Sequence, residues 1–204
     1  MRYVDCFRYL ASQRTNQLVI TSAGNSGQAW WAVTRDSHGS FYLGASMSLS
    51  TMFASGIAMA LPQVKIWAFM GDGAFCMNPG MLLVERQMNL PNLTHFVVSN
   101  RCYGGTGNAD LPNRKDNNDY AAIARAMGLE RVFTFDSLQS LEQGFPSAVS
   151  GNAPGHTFVV LEVEPFTHED EKLPIPEMDG PEMKYRFGRH IEQLADCSIF
   201  GYRV

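Results

Sequence analysis

The sequence predicts an α/β fold: a three-layer sandwich with a central parallel sheet and helices on both faces. Two observations carry this. Short, fully apolar, β-rich runs recur along the chain, and segments of helical pattern separate them. Strands that are apolar throughout are buried on both faces, and intervening helices supply the cover. The expected strands are 18–22, 64–70, 94–99, 131–135 and 157–163. The expected helices are 4–12, 46–60, 79–88, 120–127 and 138–150. Right-handed crossovers follow from this alternation. Ligands of such sheets bind beyond the carboxyl ends of the strands, which directs attention to the residues after Met70 and after Ser99.

The pattern breaks near Glu164. An acidic stretch, Glu169-Asp170-Glu171, precedes Pro174, Pro176 and Pro181. We therefore expect a domain over 1–165 and an extended C-terminal tail over 166–204, with a short helix near Arg189–Leu194, packed on the domain or on a partner. The 204 residues fit one ordinary domain with a substantial core.

Composition excludes several functions. A net charge of −4 with a pI near 5.7 argues against a nucleic-acid phosphate backbone as the main partner. The four cysteines, Cys6, Cys76, Cys102 and Cys197, form no C-x-x-C pair, which removes zinc-ribbon, iron–sulfur and thioredoxin readings. Scattered thiols and an N-terminus without an apolar signal core point to a reduced cytoplasmic setting. Residues 37–62 carry no Asp, Glu, Lys or Arg, but their serines and glycines suit a buried loop plus helix rather than a membrane span.

The chemistry lies in two loops. The apolar run ending at Met70 enters Gly71-Asp72-Gly73-Ala74-Phe75. Glycines let the backbone approach a ligand, and the freed N–H groups favour an anion such as a phosphate. Asp72 adds a hard oxygen for a cation bridging to that phosphate. Twenty-six residues beyond Gly73, Asn100 ends the apolar run Phe96-Val97-Val98-Ser99. Asp72 and a neutral oxygen of Asn100 can thus meet at the ends of adjacent strands on one Mg²⁺ ion.

This pair, Gly-Asp-Gly then Asn at that spacing, resembles the signature of thiamine-diphosphate (ThDP) enzymes. The resemblance implies the fold of their diphosphate-binding (PP) domain. It also implies that Asp72, Asn100 and the backbone carbonyl of Cys102 hold Mg²⁺ on the cofactor's diphosphate. Phe41-Tyr42-Leu43-Gly44-Ala45-Ser46-Met47 resembles the F-Y-x-x-G-S-M-G loop of small 2-oxo acid decarboxylases. There a bulky side chain under the thiazolium ring bends the cofactor into its reactive V shape. Met47 matches that position, Gly44, Ala45 and Ser46 would flank the aminopyrimidine, and Ser48 stands where the family often has Gly. Met77-Asn78-Pro79-Gly80-Met81-Leu82 and Asn100-Arg101-Cys102-Tyr103-Gly104-Gly105-Thr106-Gly107 are similar to segments of sulfopyruvate and phosphonopyruvate decarboxylases. They would add Tyr103, Gly104, Gly105 and Thr106 to the cofactor set beside Gly71, Asp72, Gly73, Ala74 and Phe75. The matches run from about Leu18 to Val163 and look most like the β subunit of sulfopyruvate decarboxylases.

The resemblance implies non-oxidative decarboxylation of a small 2-oxo acid, such as sulfopyruvate or phosphonopyruvate, to an aldehyde and CO₂. The family's activating Glu sits on a pyrimidine-binding (Pyr) domain for which this chain offers no segment. The expectation is therefore a Pyr-domain α subunit that supplies the Glu, in a hetero-oligomer of αβ or its multiples. A doubly anionic substrate needs a cation, for which Arg35, His38, Arg101 and Arg114 are candidates, His38 also as a proton shuttle. Trp30 and Trp31 stand where the family has a polar Arg-Glu pair; a bulkier pocket and plain packing are both open. Other readings are the β subunit of a 2-oxo acid:acceptor oxidoreductase or carboligase, a non-catalytic ThDP-binding protein, and a Mg²⁺-dependent phosphate binder using Asp72 alone.

Overall fold

The computed structural model describes residues 1–112, 118–150 and 155–201. In chain order the elements are α1 (Tyr3–Gln13), β1 (Leu18–Thr21), α2 (Asn25–Thr34), β2 (Ser40–Tyr42), α3 (Ser50–Ala60), β3 (Ile66–Gly71), α4 (Asp72–Met77), α5 (Met81–Met88) and β4 (Leu93–Ser99). A two-stranded ribbon follows, β5 (Cys102–Tyr103) antiparallel to β6 (Ala109–Asp110). Then come α6 (Tyr120–Ala126), β7 (Arg131–Phe135), α7 (Leu138–Ala148), β8 (Thr157–Glu162) and α8 (Gly180–Ala195).

Six strands form one parallel sheet in the order β2-β1-β3-β4-β8-β7. Every residue of β1 and β4 is buried, as strands covered on both faces must be. The period-2 alternation of side chains divides the core. Val19, Trp67, Phe69, Phe96, Val98 and Val159 face one layer, made by α1, α2 and α7 through Phe7, Leu10, Trp30 and Phe145. Leu18, Ile20, Ile66, Ala68, Met70, Val97 and Phe158 face the other, covered by α3, α4, α5, α6 and α8. The expected three-layer sandwich is what forms.

Three elements differ from expectation. Residues 25–34, to which the sequence pattern assigns no element, form α2, because Gly24 at φ +102° turns β1 sharply into a helix. The charge-free stretch 37–62 contains an edge strand, β2, ahead of its helix. The C-terminal helix is longer than the short helix expected near 189–194. It spans Gly180–Ala195, starts on an Asp179 side-chain cap and Pro181, and buries Met183, Phe187 and Ile191. It covers the outer edge of β2, where an open strand edge would otherwise face water. Gln28 ties the tail down further by donating to the carbonyl of Leu173 at 2.7 Å. No helix among the described residues is long and apolar enough to cross a membrane.

Candidate functional site at the carboxyl ends of the strands

The strand order reverses between β1 and β3. From β1 the chain first steps outward to β2, then crosses back to β3 and onward to β4. A crevice opens at such a switch point, outside the carboxyl ends of the strands. Here it is a cavity of about 340 Å³ between the turn after β1, the Gly71–Ala74 turn and the loop after β4. It adjoins a second cavity of about 690 Å³ beneath the C-terminal tail, with which it shares Gly24, Asn25, Gly44 and Gly105.

Asp72 sits at the first position of α4 and Asn100 directly after β4. Their side chains are buried, at 1% and 6% exposure. One Asp72 carboxylate oxygen accepts the N–H of Arg101 at 2.6 Å; the other accepts the N–H of Gly73 at 2.8 Å. The Asn100 Oδ1 accepts the N–H of Cys102 at 3.2 Å. The carboxylate and the amide oxygen are therefore both fixed to the 100–102 turn, where Arg101 holds φ at +62°. Burial pushes the Asp72 carboxyl up to about 6, outweighing the lowering by the Arg101 and Gly73 N–H groups. No ion pair to Asp72 is present among the described residues. A buried carboxylate without a cation, beside a fixed neutral oxygen in a polar crevice, is the hard-oxygen donor set that suits Mg²⁺. The residues therefore fit the expected cofactor and metal.

Glycines shape the rest. The Tyr103 ring lies so close over Gly73 that a Cβ there would stand 2.7 Å from two ring carbons. Gly104 packs in the same way on the Asn25 side chain. At Gly71, Gly44 and Gly105 an added Cβ would meet only open space, so those backbones face the crevice bare. The Thr106 hydroxyl donates to the carbonyl of Tyr103 and holds the loop in a 3-10 turn over Gly104–Thr106.

The structure brings most of the expected set together. Gly44, Met47, Gly71, Asp72, Gly73, Ala74, Asn100, Cys102, Tyr103, Gly104, Gly105 and Thr106 all line the smaller cavity, and Ala45 and Ser46 line the larger. Ser48, where the resembled loop has Gly, adopts φ +62°, a left-handed conformation that favours Gly.

Others fall elsewhere. Phe75 points away from the crevice into the core, edge-on to Tyr120 and Phe158. His38 precedes β2 at its amino end, the opposite end of the sheet from the cavity, and is exposed with its Nδ1 on the Ser37 hydroxyl at 3.1 Å. It cannot shuttle protons at this site. Arg35 caps α2 at that same far end, over the Trp31 ring. The Arg101 guanidinium donates to Glu162 at 2.9 Å. Arg114 lies outside the described residues. Trp30 and Trp31 pack in the core rather than lining a substrate pocket. Trp30 lies against Phe69 and Trp67 and donates to the Ser40 hydroxyl at 2.8 Å, and Trp31 meets Tyr42 edge-on.

Sequence reading missed the turn after β1. Ala23, Gly24, Asn25 and Ser26 line the cavity, with Tyr3 behind them in a 2.8 Å hydrogen bond to the Ser26 hydroxyl. The Asn25 Nδ2 is buried without a partner. The available signal was Gly24 following an apolar run, the same cue that marks Gly71.

Comparison with known proteins agrees with this geometry. Residues 22–163 match the family described as thiamine pyrophosphate enzyme, C-terminal TPP binding domain. The chain is 27% identical over 177 residues to sulfopyruvate decarboxylase subunit beta of Methanocaldococcus jannaschii, covering 87% of this chain and 89% of that one. It is 27% identical over 188 residues to the subunit of the same name from Methanothermobacter thermautotrophicus, covering 92% and 94%. Its fold is similar to that of the thiamine diphosphate-dependent 4-hydroxybenzoylformate decarboxylase of Rhodococcus jostii RHA1, with a TM-score of 0.68 at 17% identity over 81% of this chain. The chain spans about a third of the length of that solved structure, 33%.

Proposed function

This chain belongs to the thiamine pyrophosphate enzymes through their C-terminal TPP binding domain, and from that premise we propose that it is the PP-domain β subunit of a split ThDP- and Mg²⁺-dependent decarboxylase. The substrate in this reading is a small 2-oxo acid such as sulfopyruvate or phosphonopyruvate, and the products are an aldehyde and CO₂. The partner is a Pyr-domain α subunit that brings the activating Glu, and the division of the chain is a PP domain over 1–165 with the remainder as a tail packed against it. Relatives named as β subunits, matched over nearly their whole length, support the split. The exposed Leu49, Phe53, Met77, Leu83 and Val84 offer apolar surface for such a partner.

One observation carries the reading: the Asp72 carboxylate and the Asn100–Cys102 turn converge at a glycine-lined cavity on the strand switch point. When bound, the cofactor supplies an electron sink for the carbanion left by CO₂ loss. The chain's own residues do the rest. Asp72, Asn100 and the Cys102 carbonyl would hold the metal, and the bare backbones of Gly71 and Gly105 would let the diphosphate approach. Tyr103 walls one side. Met47, half-buried at the cavity rim, would pack against the bound cofactor and exclude water from its reacting face.

The test is calorimetric titration of ThDP into the chain with its α partner, with Mg²⁺ and then with EDTA. Saturable, Mg²⁺-dependent binding that disappears in Asp72→Ala is expected. Binding indifferent to Mg²⁺, or undiminished in that variant, contradicts the ligand assignment. No ThDP binding at all contradicts the function.

A further inference from the structure

A second polar cluster lies far from the cofactor crevice. Glu85 of α5, His95 of β4 and His156, just before β8, point into the same space within the second helical layer. All three are almost wholly buried. His95 Nδ1 stands 3.0 Å from Glu85 Oε2, and His156 Nε2 stands 2.9 Å from the same oxygen. One ligand atom from each residue falls within 4.8 Å of the others, and no other group of three His, Cys, Asp or Glu among the described residues does so. His95 is five residues before Asn100 on the same chain. At roughly 3.3 Å per residue, the cluster lies about 16 Å from the cofactor site along the strand.

Hydrogen bonding does not account for it. His95 can donate to Glu85, but His156 Nε2 is not aimed to form a hydrogen bond despite its short separation, and Glu85 Oε1 has no partner. Unpartnered polar atoms this deep in a dry interior are costly. A cation held among the three side chains gives His156 Nε2 a partner.

We propose that Glu85, His95 and His156 form a binding site for a divalent transition-metal ion of the Zn²⁺ class, distinct from the Mg²⁺ site at Asp72. Two imidazoles and a carboxylate are a borderline donor set that Zn²⁺ takes at about 2.0–2.2 Å, with ligands roughly 3.3 Å apart around a tetrahedron. The 2.9 and 3.0 Å separations from Glu85 reach this by opening a few tenths of an ångström, and the two imidazole nitrogens, within 4.8 Å of each other, close on the ion. Glu85 and His95 are sealed, which leaves no room for the several open positions of an octahedral ion. His156 borders a cavity of about 280 Å³ beside Gly155, Arg86 and Arg131, from which a fourth ligand, a water, can enter. The ion pins α5, the second helix after the Gly71–Gly73 turn, to the neighbouring interior strands β4 and β8.

The test uses Co²⁺ as the spectroscopic probe, with Zn²⁺ as competitor, in the Asp72→Ala chain without Mg²⁺ so that the crevice does not contribute. One Co²⁺ per chain with the intense visible bands of a tetrahedral site, displaced by Zn²⁺, is expected. A Zn²⁺-dependent rise in Tm of the unsubstituted chain, which Mg²⁺ does not reproduce, is expected alongside it. His156→Ala and Glu85→Gln, checked for fold by far-UV circular dichroism, should each weaken Co²⁺ binding by more than the roughly 10–100-fold that loss of a supporting residue costs. No Co²⁺ binding, or a weak octahedral spectrum, overturns the proposal without any need for the variants. Binding unchanged in a folded His156→Ala chain overturns it equally.

Discussion

Replacing Asp72 by Asn tests whether the crevice carboxylate is held there at a cost to stability. Burial lifts its pKa from 3.8 to about 6. A carboxyl whose folded value is raised stabilises the fold fully only below its unfolded value, and that contribution is lost as pH rises through the folded value. A shift of about two units at 1.36 kcal/mol each makes the ionised Asp72 cost the cofactor-free chain about 3 kcal/mol at pH 8. Asn carries no charge, but its amide can accept only one of the two N–H groups, from Arg101 and Gly73, that the carboxylate accepts. That loss costs about 1 kcal/mol. The variant without cofactor should therefore be more stable than the native chain by about 2 kcal/mol at pH 8. At pH 5 the charge penalty falls to about half, and the advantage shrinks by more than 1 kcal/mol. Urea unfolding of both chains at the two pH values, in EDTA, reads the difference directly. Mg²⁺-dependent ThDP binding should be lost in the same variant. A variant less stable than the native chain at pH 8, or an advantage that does not change with pH, refutes the view that Asp72 is a charge kept buried for a cation.

Three further outcomes follow from particular contacts. Gly73→Ala places a methyl group 2.7 Å from the Tyr103 ring; displacing the ring should weaken ThDP binding at least tenfold by calorimetry, while stability falls by only about 1–3 kcal/mol. Ser40→Ala leaves the buried Trp30 indole N–H without an acceptor and removes a 2.7 Å hydrogen bond to Asp36. It should cost about 2–4 kcal/mol in urea unfolding and leave ThDP affinity unchanged, because Ser40 lies at the far end of the sheet. Met47→Ala should lower kcat of the complex with the α subunit more than tenfold while ThDP affinity changes only a few-fold; equal losses in both would show that Met47 merely binds.

Much of the fold was legible because its central strands are buried on both faces. The runs at 18–22, 64–70, 94–99, 131–135 and 157–163 announce themselves as unbroken apolar segments, and the structure has strands at all five. The elements that escaped notice lack such a signature. β2 is three residues long, and α2 buries Ser26 and Gly27 alongside Ala29, Trp30 and Trp31, so its buried face is not marked by an apolar period. In α8 the buried positions are spaced among Glu182, Lys184, Arg186 and Arg189 and follow a proline-rich approach, which disguised most of the helix as tail. At the site, Asp72 and the 100–106 loop were legible because metal and phosphate chemistry demands particular residue types at particular strand ends. Asn25, Ser26 and Tyr3 were not, because only the folding of α1 and α2 against the switch point brings them there. His38 misled for the opposite reason: it is adjacent in sequence to the 41–47 loop, but three residues of extended strand carry it to the other end of the sheet.

The chain has three tryptophans, and all of them lie in one layer. Trp30, Trp31 and Trp67 cluster between the sheet and the helices α1, α2 and α7, away from solvent. Indole fluorescence of this protein is therefore a one-sided reporter. Its emission should be blue-shifted when folded and should follow the melting of that layer alone. The opposite face, with α3, α4, α5 and α6, is optically silent. A kinetic experiment that watches only tryptophan would miss any intermediate in which one face of the sheet has been covered and the other has not.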